Sequence, residues 1–356
     1  MLKSLRLATL GLLRGSGIFT LVANSKWRQR RLLILCYHGI SIEDEHLWRP
    51  RLFVEQRKLE QRFEYLKKGN FSVLPLGDAL QRMRMGNLPP RTVVLTFDDG
   101  TYDFFRQAYP LLKAYGFPAT VYQTTYYIPL QLPVFNVICS YMLWKRQGEV
   151  IDDVQNLGLP GPLDLRTDSS RAQIVRDLLA HADRENLSGL QRDEIAGRLA
   201  SALKIDYAGL KAKRILQLMN GHELQEISRN GIDIQLHTHR HRAPENEILF
   251  RKEIQDNRTM IHKLIGTQPV HFCYPSGVYL PSFFPWLRDE QVVSATTCDA
   301  GLVRATTENL LLPRFVDQQN RTQIEFESWI TGVGDLLAVR RKAAQKPAPQ
   351  QQLSRK

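Results

Sequence analysis

Residues 92–100 read TVVLTFDDG: Thr92-Val93-Val94-Leu95-Thr96-Phe97, then Asp98-Asp99-Gly100. An uncharged run rich in β-branched and aromatic side chains describes a strand buried on both faces. Two carboxylates and a glycine at its end place an acidic pair where the chain must turn. A helical pattern follows, with Leu111, Leu112 and Tyr115 on its apolar side and Gly116 at its end. Pro118 blocks continuation, and residues 119–123 start another strand. Strand, helix, strand is a βαβ unit, the element of a parallel sheet.

The same rhythm extends in both directions. Leu32-Leu33-Ile34-Leu35-Cys36 is an apolar run that ends in Tyr37-His38-Gly39. Residues 53–67 form an amphipathic helix pattern, 73–76 a short strand and 76–85 another helix. Beyond residue 220, strand 232–236 runs into His237 and strand 270–274 into Pro275-Ser276-Gly277, with helix 249–265 between them. Helix 282–290, strand 292–296 and strand 309–312 follow, the last just before Pro313-Arg314. Between these halves the rhythm breaks. A Pro/Gly-rich stretch, 157–162, precedes helical stripes of Ile174, Leu178 and Ala182, then of Ile195, Leu199 and Leu203. The pattern predicts an α/β fold, a distorted (β/α) barrel of about seven strands with a helical insertion and its site at the strand C-termini. The expected organisation is a basic amphipathic segment over 1–31, barrel over 32–130 and 221–335, insertion over 131–220, and a disordered basic tail over 336–356.

At 43% hydrophobic and 24% charged residues, the composition is that of a globular chain and excludes disordered or collagen-like classes. The net charge of +12 is not spread over a groove. Residues 1–42 carry seven Lys/Arg and no acid, and 340–356 carry six and no acid, leaving a body of 35 bases and 36 acids. This argues against a nucleic-acid partner and for peripheral contact of the basic ends with an anionic membrane. Residues 7–23 are interrupted by Arg14 and lack a small-residue cleavage site, so neither a span nor a signal peptide is expected; an uncleaved anchor is the alternative. Cys36, Cys139, Cys273 and Cys298 form no CxxC pair, which points away from a disulfide framework and towards a reducing compartment. The expected location is the cytoplasm or the inner face of the cell membrane.

Four polar clusters follow predicted strands: Tyr37-His38, Asp98-Asp99, His237-Thr238-His239-Arg240-His241 and Tyr274-Pro275-Ser276-Gly277. On one barrel they converge. Two imidazoles and a carboxylate, with open positions for water and substrate, suit Zn²⁺ or a similar divalent ion. A neighbouring carboxylate can take a proton from water, and a histidine can give one to a leaving amine.

TFDDG (96–100) with HTHRH (237–241) resembles the polysaccharide deacetylase, or NodB-homology, family, whose members remove N-acetyl groups from glycans with a divalent metal. The resemblance covers residues 32–130 and 220–320. It implies Asp98 as the base, Asp99, His237 and His241 as metal ligands, Thr238 as a support of the ligand loop, and Zn²⁺ as the metal, with Co²⁺ and Ni²⁺ as alternatives. HFCYPSG (271–277) resembles the Tyr-Pro-x-Gly variant of exopolysaccharide members, so Tyr274, Pro275 and Ser276 are expected at the substrate or oxyanion, with the Ser276 N–H as donor.

Two departures shape the remaining assignments. The arginine that precedes the proline in the family's third motif is missing here, and Arg314 in LLLPRF is the candidate replacement beside Asp98. No histidine follows His271, so the acid falls to His38, similar to the N-terminal Tyr-His of poly-N-acetylglucosamine deacetylases and expected opposite the base. Tyr102, Phe283 and Trp286 are candidate sugar-stacking rings. The leading reading is a metal-dependent N-deacetylase acting on an N-acetylated polysaccharide or oligosaccharide. The alternative is a glycan-binding or membrane-associated protein on an inert barrel.

Overall fold

The computed structural model describes residues 2–152, 157–159 and 161–338. Among these, 2–100, 104–125 and 222–338 form one compact unit, and 101–103 with 126–221 form a second.

The first unit is a curled, mainly parallel sheet. Its strands are β1 (Arg31–Tyr37), β2 (Ser72–Val73), β3 (Thr92–Phe97), β4 (Thr120–Gln123), β5 (Asp233–Leu236), β6 (His271–Cys273), β7 (Ser294–Thr296), β8 (Val303–Arg304) and β9 (Phe315–Val316). The order is β7-β6-β5-β4-β3-β1-β8, with β2 also on β3 and β9 also on β1. Only β8 runs antiparallel to its neighbour. Leu312 bridges Thr296, the last residue of β7, and Phe315 pairs with Leu35 of β1 three residues later. One short segment thus touches both ends of the sheet and draws them together. This is the distorted (β/α) barrel expected of the βα rhythm.

The registers fix which side chains meet. Tyr37 of β1 pairs with Phe97 of β3, and Gln123 of β4 with Leu236 of β5. Leu32, Ile34, Val94, Tyr122, Cys273 and Leu312 pack together with Leu76, Ala79 and Leu80 from the helix Leu76–Arg84. β1 and β3 are buried on nearly every residue, which is why both read as continuous apolar runs rather than alternating ones.

The N-terminal residues fold onto this unit. The helices Leu2–Gly15 and Ile18–Ala23 bury Leu10 and Phe19 against Val333 of the helix Val333–Leu337. Arg14 pairs with Glu327 at 2.9 Å. Arg28 is wholly buried, and its guanidinium donates to the carbonyls of Arg31, Thr92 and Ile330, pinning the entry into β1. No described helix is long and apolar enough to cross a membrane. The helix Val333–Leu337 takes in the first residues of the expected tail; those from 339 onward lie outside the described residues.

The second unit is helical, with Phe135–Lys145, Asp168–Arg184, Gly189–Ala202 and Tyr207–Ala212 around buried Ile138, Met142, Leu178 and Leu199. Capping boxes at Thr167 and Ser188 begin the two longest helices. All four cysteines are free.

Candidate active site

The turn after β3 organises the site. Asp98 N–H donates to the Tyr37 carbonyl at 2.9 Å, so the chain leaves β3 still tied to β1. Asp99 and Gly100 then both adopt left-handed backbone, φ 70° and 72°. A Cβ on Gly100 would lie 2.0 Å from the buried Gln123 side chain, whose amide donates to the carbonyls of Gly100 and Thr124. Glycine is required here for both conformation and space.

Asp98 is buried beside Arg314, which is itself fully buried. The guanidinium grips both carboxylate oxygens at 2.7 Å and also donates to the Thr297 carbonyl and the Thr96 hydroxyl. Burial alone would raise the Asp98 pKa; Arg314 outweighs it, and the carboxyl is held well below the usual carboxylate range. β9 pairs in parallel with β1, Phe315 opposite Leu35, so Arg314 enters below the level of Asp98 and its long side chain reaches up to the carboxylate from inside the barrel.

His38 Nε2 stands 3.6 Å from Asp98 Oδ2. The sequence reading expects His38 across from the base; the structure makes them neighbours. The cause is register: Tyr37 pairs with Phe97, so the next residue of each strand emerges side by side. The thiols of Cys36 and Cys273 lie 3.6 and 3.4 Å from the same oxygen.

Asp99 turns the other way. Its Oδ1 lies 3.2 Å from His237 Nε2 and 3.3 Å from His241 Nε2. His237 Nδ1 is 2.9 Å from the Cys273 carbonyl, which only accepts, so Nδ1 carries a proton and Nε2 is the nitrogen turned to Asp99. Asp99 Oδ1 is buried and receives no hydrogen bond. One carboxylate oxygen and two imidazole Nε2 atoms converging at 3.2 and 3.3 Å form a donor set of the kind that holds a divalent cation. Asp98 also lies within reach of two other groups of metal-type donors, with Cys36 and His38 and with His237 and Cys273. Its Arg314 clamp removes it from both, leaving Asp99, His237 and His241 as the set suited to an ion.

The histidine loop is held from behind. Thr238 and His241 have φ of 64° and 54°, and Thr238 Oγ1 accepts from Arg242 N–H. His239 Nδ1 is 2.8 Å from the Thr125 hydroxyl and points away from the Asp99 set. Two residues not singled out in the sequence complete the support. Buried Glu253 accepts from the Arg240 N–H and from the guanidinium groups of Arg240 and Arg242. Buried Asn257 accepts from His237 N–H and donates to Thr125 Oγ1 and the Gln123 carbonyl. Both lie on the buried stripe of helix Glu247–Ile265 with Phe250, Ile254 and Ile261. Polar residues on an apolar stripe are the signal by which they could have been found.

The YPSG turn is used differently from expectation. Ser276, with φ 56°, is exposed at its apex. Tyr274 is buried, its N–H donates to Thr296 and its hydroxyl to Leu310, and Pro275 is buried and has no N–H. Tyr274 and Pro275 therefore shape the turn and bring no donor to the site. Phe283, stacked on Phe250 at 4.3 Å, is core rather than a sugar platform, and Trp286 packs against the same two rings. In the second unit, Tyr102 lies under the guanidinium of Arg214 at 3.9 Å.

Residues 85–136 and 210–291 match the polysaccharide deacetylase family model. These segments contain Asp98, Asp99, His237, His241 and Ser276; His38 and Arg314 lie outside both. A poly-beta-1,6-N-acetyl-D-glucosamine N-deacetylase of Escherichia coli (strain K12) is 29% identical over 101 residues, 28% of this chain and 15% of that protein. One of the same name from Staphylococcus aureus (strain MSSA476) is 36% identical over 67 residues, 19% of this chain and 23% of that protein. The chain thus spans less than a quarter of the length of these two relatives. The Streptococcus pyogenes deacetylase PplD, solved in complex with acetate, superposes with a TM-score of 0.55 over 82% of this chain and 93% of that one, at 18% identity, a likeness of fold.

Proposed function

We propose that this chain is a divalent-metal-dependent N-deacetylase that hydrolyses the acetamide of an N-acetylated glycan of the exopolysaccharide type, releasing acetate and leaving an amine on the sugar. One observation carries the reading. Two carboxylates consecutive in sequence are divided between a buried arginine and a pair of histidines, one as an ionised base and the other as a metal-type donor. The family match and the names of the relatives support the substrate class.

Asp99, His237 and His241 would hold the ion. When bound, such an ion lowers the pKa of water and polarises the acetamide carbonyl. Asp98, kept ionised by Arg314, takes the proton of the attacking water. His38, beside it at the mouth of the barrel, delivers a proton to the departing amine, and the exposed Ser276 N–H donates to the oxyanion. With His38 3.6 Å from Asp98, proton uptake and proton delivery would fall to neighbouring groups.

The test is acetate release from N-acetylglucosamine oligomers and polymer, with protein stripped by chelator and reloaded with Zn²⁺, Co²⁺ or Ni²⁺. Activity should vanish on stripping and return on reloading, and His237→Ala and His241→Ala should lose metal by elemental analysis. A folded, metal-loaded protein that binds these glycans yet releases no acetate would make it a glycan-binding barrel instead.

A further inference from the structure

The outer face of the N-terminal helix pair serves none of the chemistry above. One side of Leu2–Gly15 is fixed to the first unit through Leu10 and Leu13. The other side holds Leu5 and Leu12, two turns apart on one stripe and 67% and 76% exposed. Leu21 on the next helix is 69% exposed, and Leu336 and Leu337 of the helix Val333–Leu337 are about half exposed (54% and 51%). The hydroxyls on or beside this stripe are turned inward on the backbone: Thr9 donates to the Leu5 carbonyl and Ser16 to that of Leu13, both at 3.0 Å. Leaving water therefore costs this face little in unmet hydrogen bonds.

Charge selects the occupant. Arg6, Lys26 and Arg30 are exposed on the same N-terminal segment as the leucines, no acid occurs before Glu43, and the acids packed against the segment, Glu325 towards Arg6 and Glu327 against Arg14, are buried. A second copy of this face would bring like charge against like charge. An anionic bilayer supplies what both features need, headgroup phosphates for the cations and an acyl boundary for the leucines. Arg6 also lines a cleft with Leu10, Trp329 and Leu337, where the Trp329 indole N–H is buried without a partner. That cleft offers a cation and a hydrogen-bond donor beside apolar walls. We propose that the chain docks on anionic lipid through this face, with Leu5, Leu12 and Leu21 entering the acyl boundary and Arg6, Lys26 and Arg30 at the headgroups. The short helix Lys26–Gln29 joins these helices to β1, the strand that ends just before His38, and buried Arg28 ties that joint to the barrel, so docking would hold the barrel near the surface.

The test is sedimentation of the full chain with vesicles of phosphatidylglycerol or of phosphatidylcholine. Binding to phosphatidylglycerol alone, weakened by salt, is expected. Leu5→Gln, Leu12→Gln and Leu21→Gln together should weaken it by about 1,000-fold or more, at roughly tenfold or above per leucine withdrawn from the apolar phase, with an unchanged melting curve. As a second reading, Leu12→Trp should add blue-shifted emission on phosphatidylglycerol vesicles relative to wild type. The proposal falls if wild type does not bind phosphatidylglycerol at low salt, or if the triple variant binds as wild type does. It falls equally if Leu12→Trp shows no shift, or if the leucines govern only a concentration-dependent dimer.

Discussion

Replacing Arg314 with methionine removes the guanidinium but keeps an apolar chain of similar length. Two hydrogen bonds of 2.7 Å are lost, and Asp98 is left buried with its charge facing two thiols, His38 at 3.6 Å and His237. Two unit charges about 4 Å apart in a medium of effective dielectric ~20 interact by ~4 kcal/mol, in line with the ~3–5 kcal/mol lost when one member of a buried pair is removed. Removing that preference for the ionised form moves the acid limb of kcat/KM upward by about two to three pH units, at ~1.4 kcal/mol per unit. The stability sign follows from the depressed Asp98 pKa. The pair's contribution is complete above the ordinary carboxylate range and fades as pH falls towards the folded value, so Arg314→Met should be less stable by about 4 kcal/mol at neutral pH, a deficit that narrows on acidification. Arg314→Lys keeps a charge but loses the fork, and its acid limb should fall between the two. The assay is acetate release across pH on metal-loaded protein, with urea unfolding of each variant alongside. An unmoved acid limb in folded Arg314→Met would refute the assignment of Asp98 as a base poised by Arg314.

Asp98→Asn should bind metal as wild type does and lose about 10²–10⁴ in kcat, the usual worth of a general base; activity within a few-fold of wild type would move that role elsewhere. His38→Ala should keep fold and metal, lose amide hydrolysis, and be far less impaired on an activated ester whose leaving group needs little protonation; equal losses on both substrates would make His38 structural. Gly100→Ala combines a left-handed backbone with a Cβ driven into Gln123, and should cost about 2–4 kcal/mol in urea unfolding. Shortening the neighbour in Gly100→Ala/Gln123→Ala should recover the steric part; a double variant as unstable as the sum of the singles would place the defect elsewhere.

The long, strongly patterned elements were legible from residues alone. Residues 92–97 and 32–36 are apolar on every side because β1 and β3 are buried on both faces, and the helix over 249–265 shows its stripe plainly. Val303–Arg304 and Phe315–Val316 escaped because two residues carry no periodicity; pairing partners distant in sequence define them. The polar clusters were visible as strand-end punctuation, but their mutual placement was not. Whether His38 faces Asp98 or stands across from it depends on the register of β1 against β3, which neither strand states by itself. Tyr274 was placed at the site by the resemblance of its turn to the Tyr-Pro-x-Gly variant, and the Leu310 carbonyl that takes its hydroxyl is 36 residues away, where the motif gives no sign of it.

The division of labour between Asp98 and Asp99 follows from one backbone change. Asp98 continues the geometry of β3, tied to the Tyr37 carbonyl, and its carboxylate enters the barrel where Arg314 waits. Were the next residue also extended, its side chain would simply alternate to the opposite face of the sheet. Instead Asp99 takes φ 70°, and its carboxylate swings across the mouth to the two histidines. Left-handed backbone costs about 1–2 kcal/mol for a residue with a Cβ, although aspartate tolerates it better than most. Here Thr124 N–H and hydroxyl both donate to the Asp99 carbonyl, and the space left by Gly100 admits Gln123 beneath the turn. Identical side chains thus acquire different surroundings from the conformation between them: one is held ionised by a fixed guanidinium, and the other faces two imidazole nitrogens. Exchanging either for glutamate would retain the charge, yet the added methylene would drive the first into Arg314 and carry the second past His237.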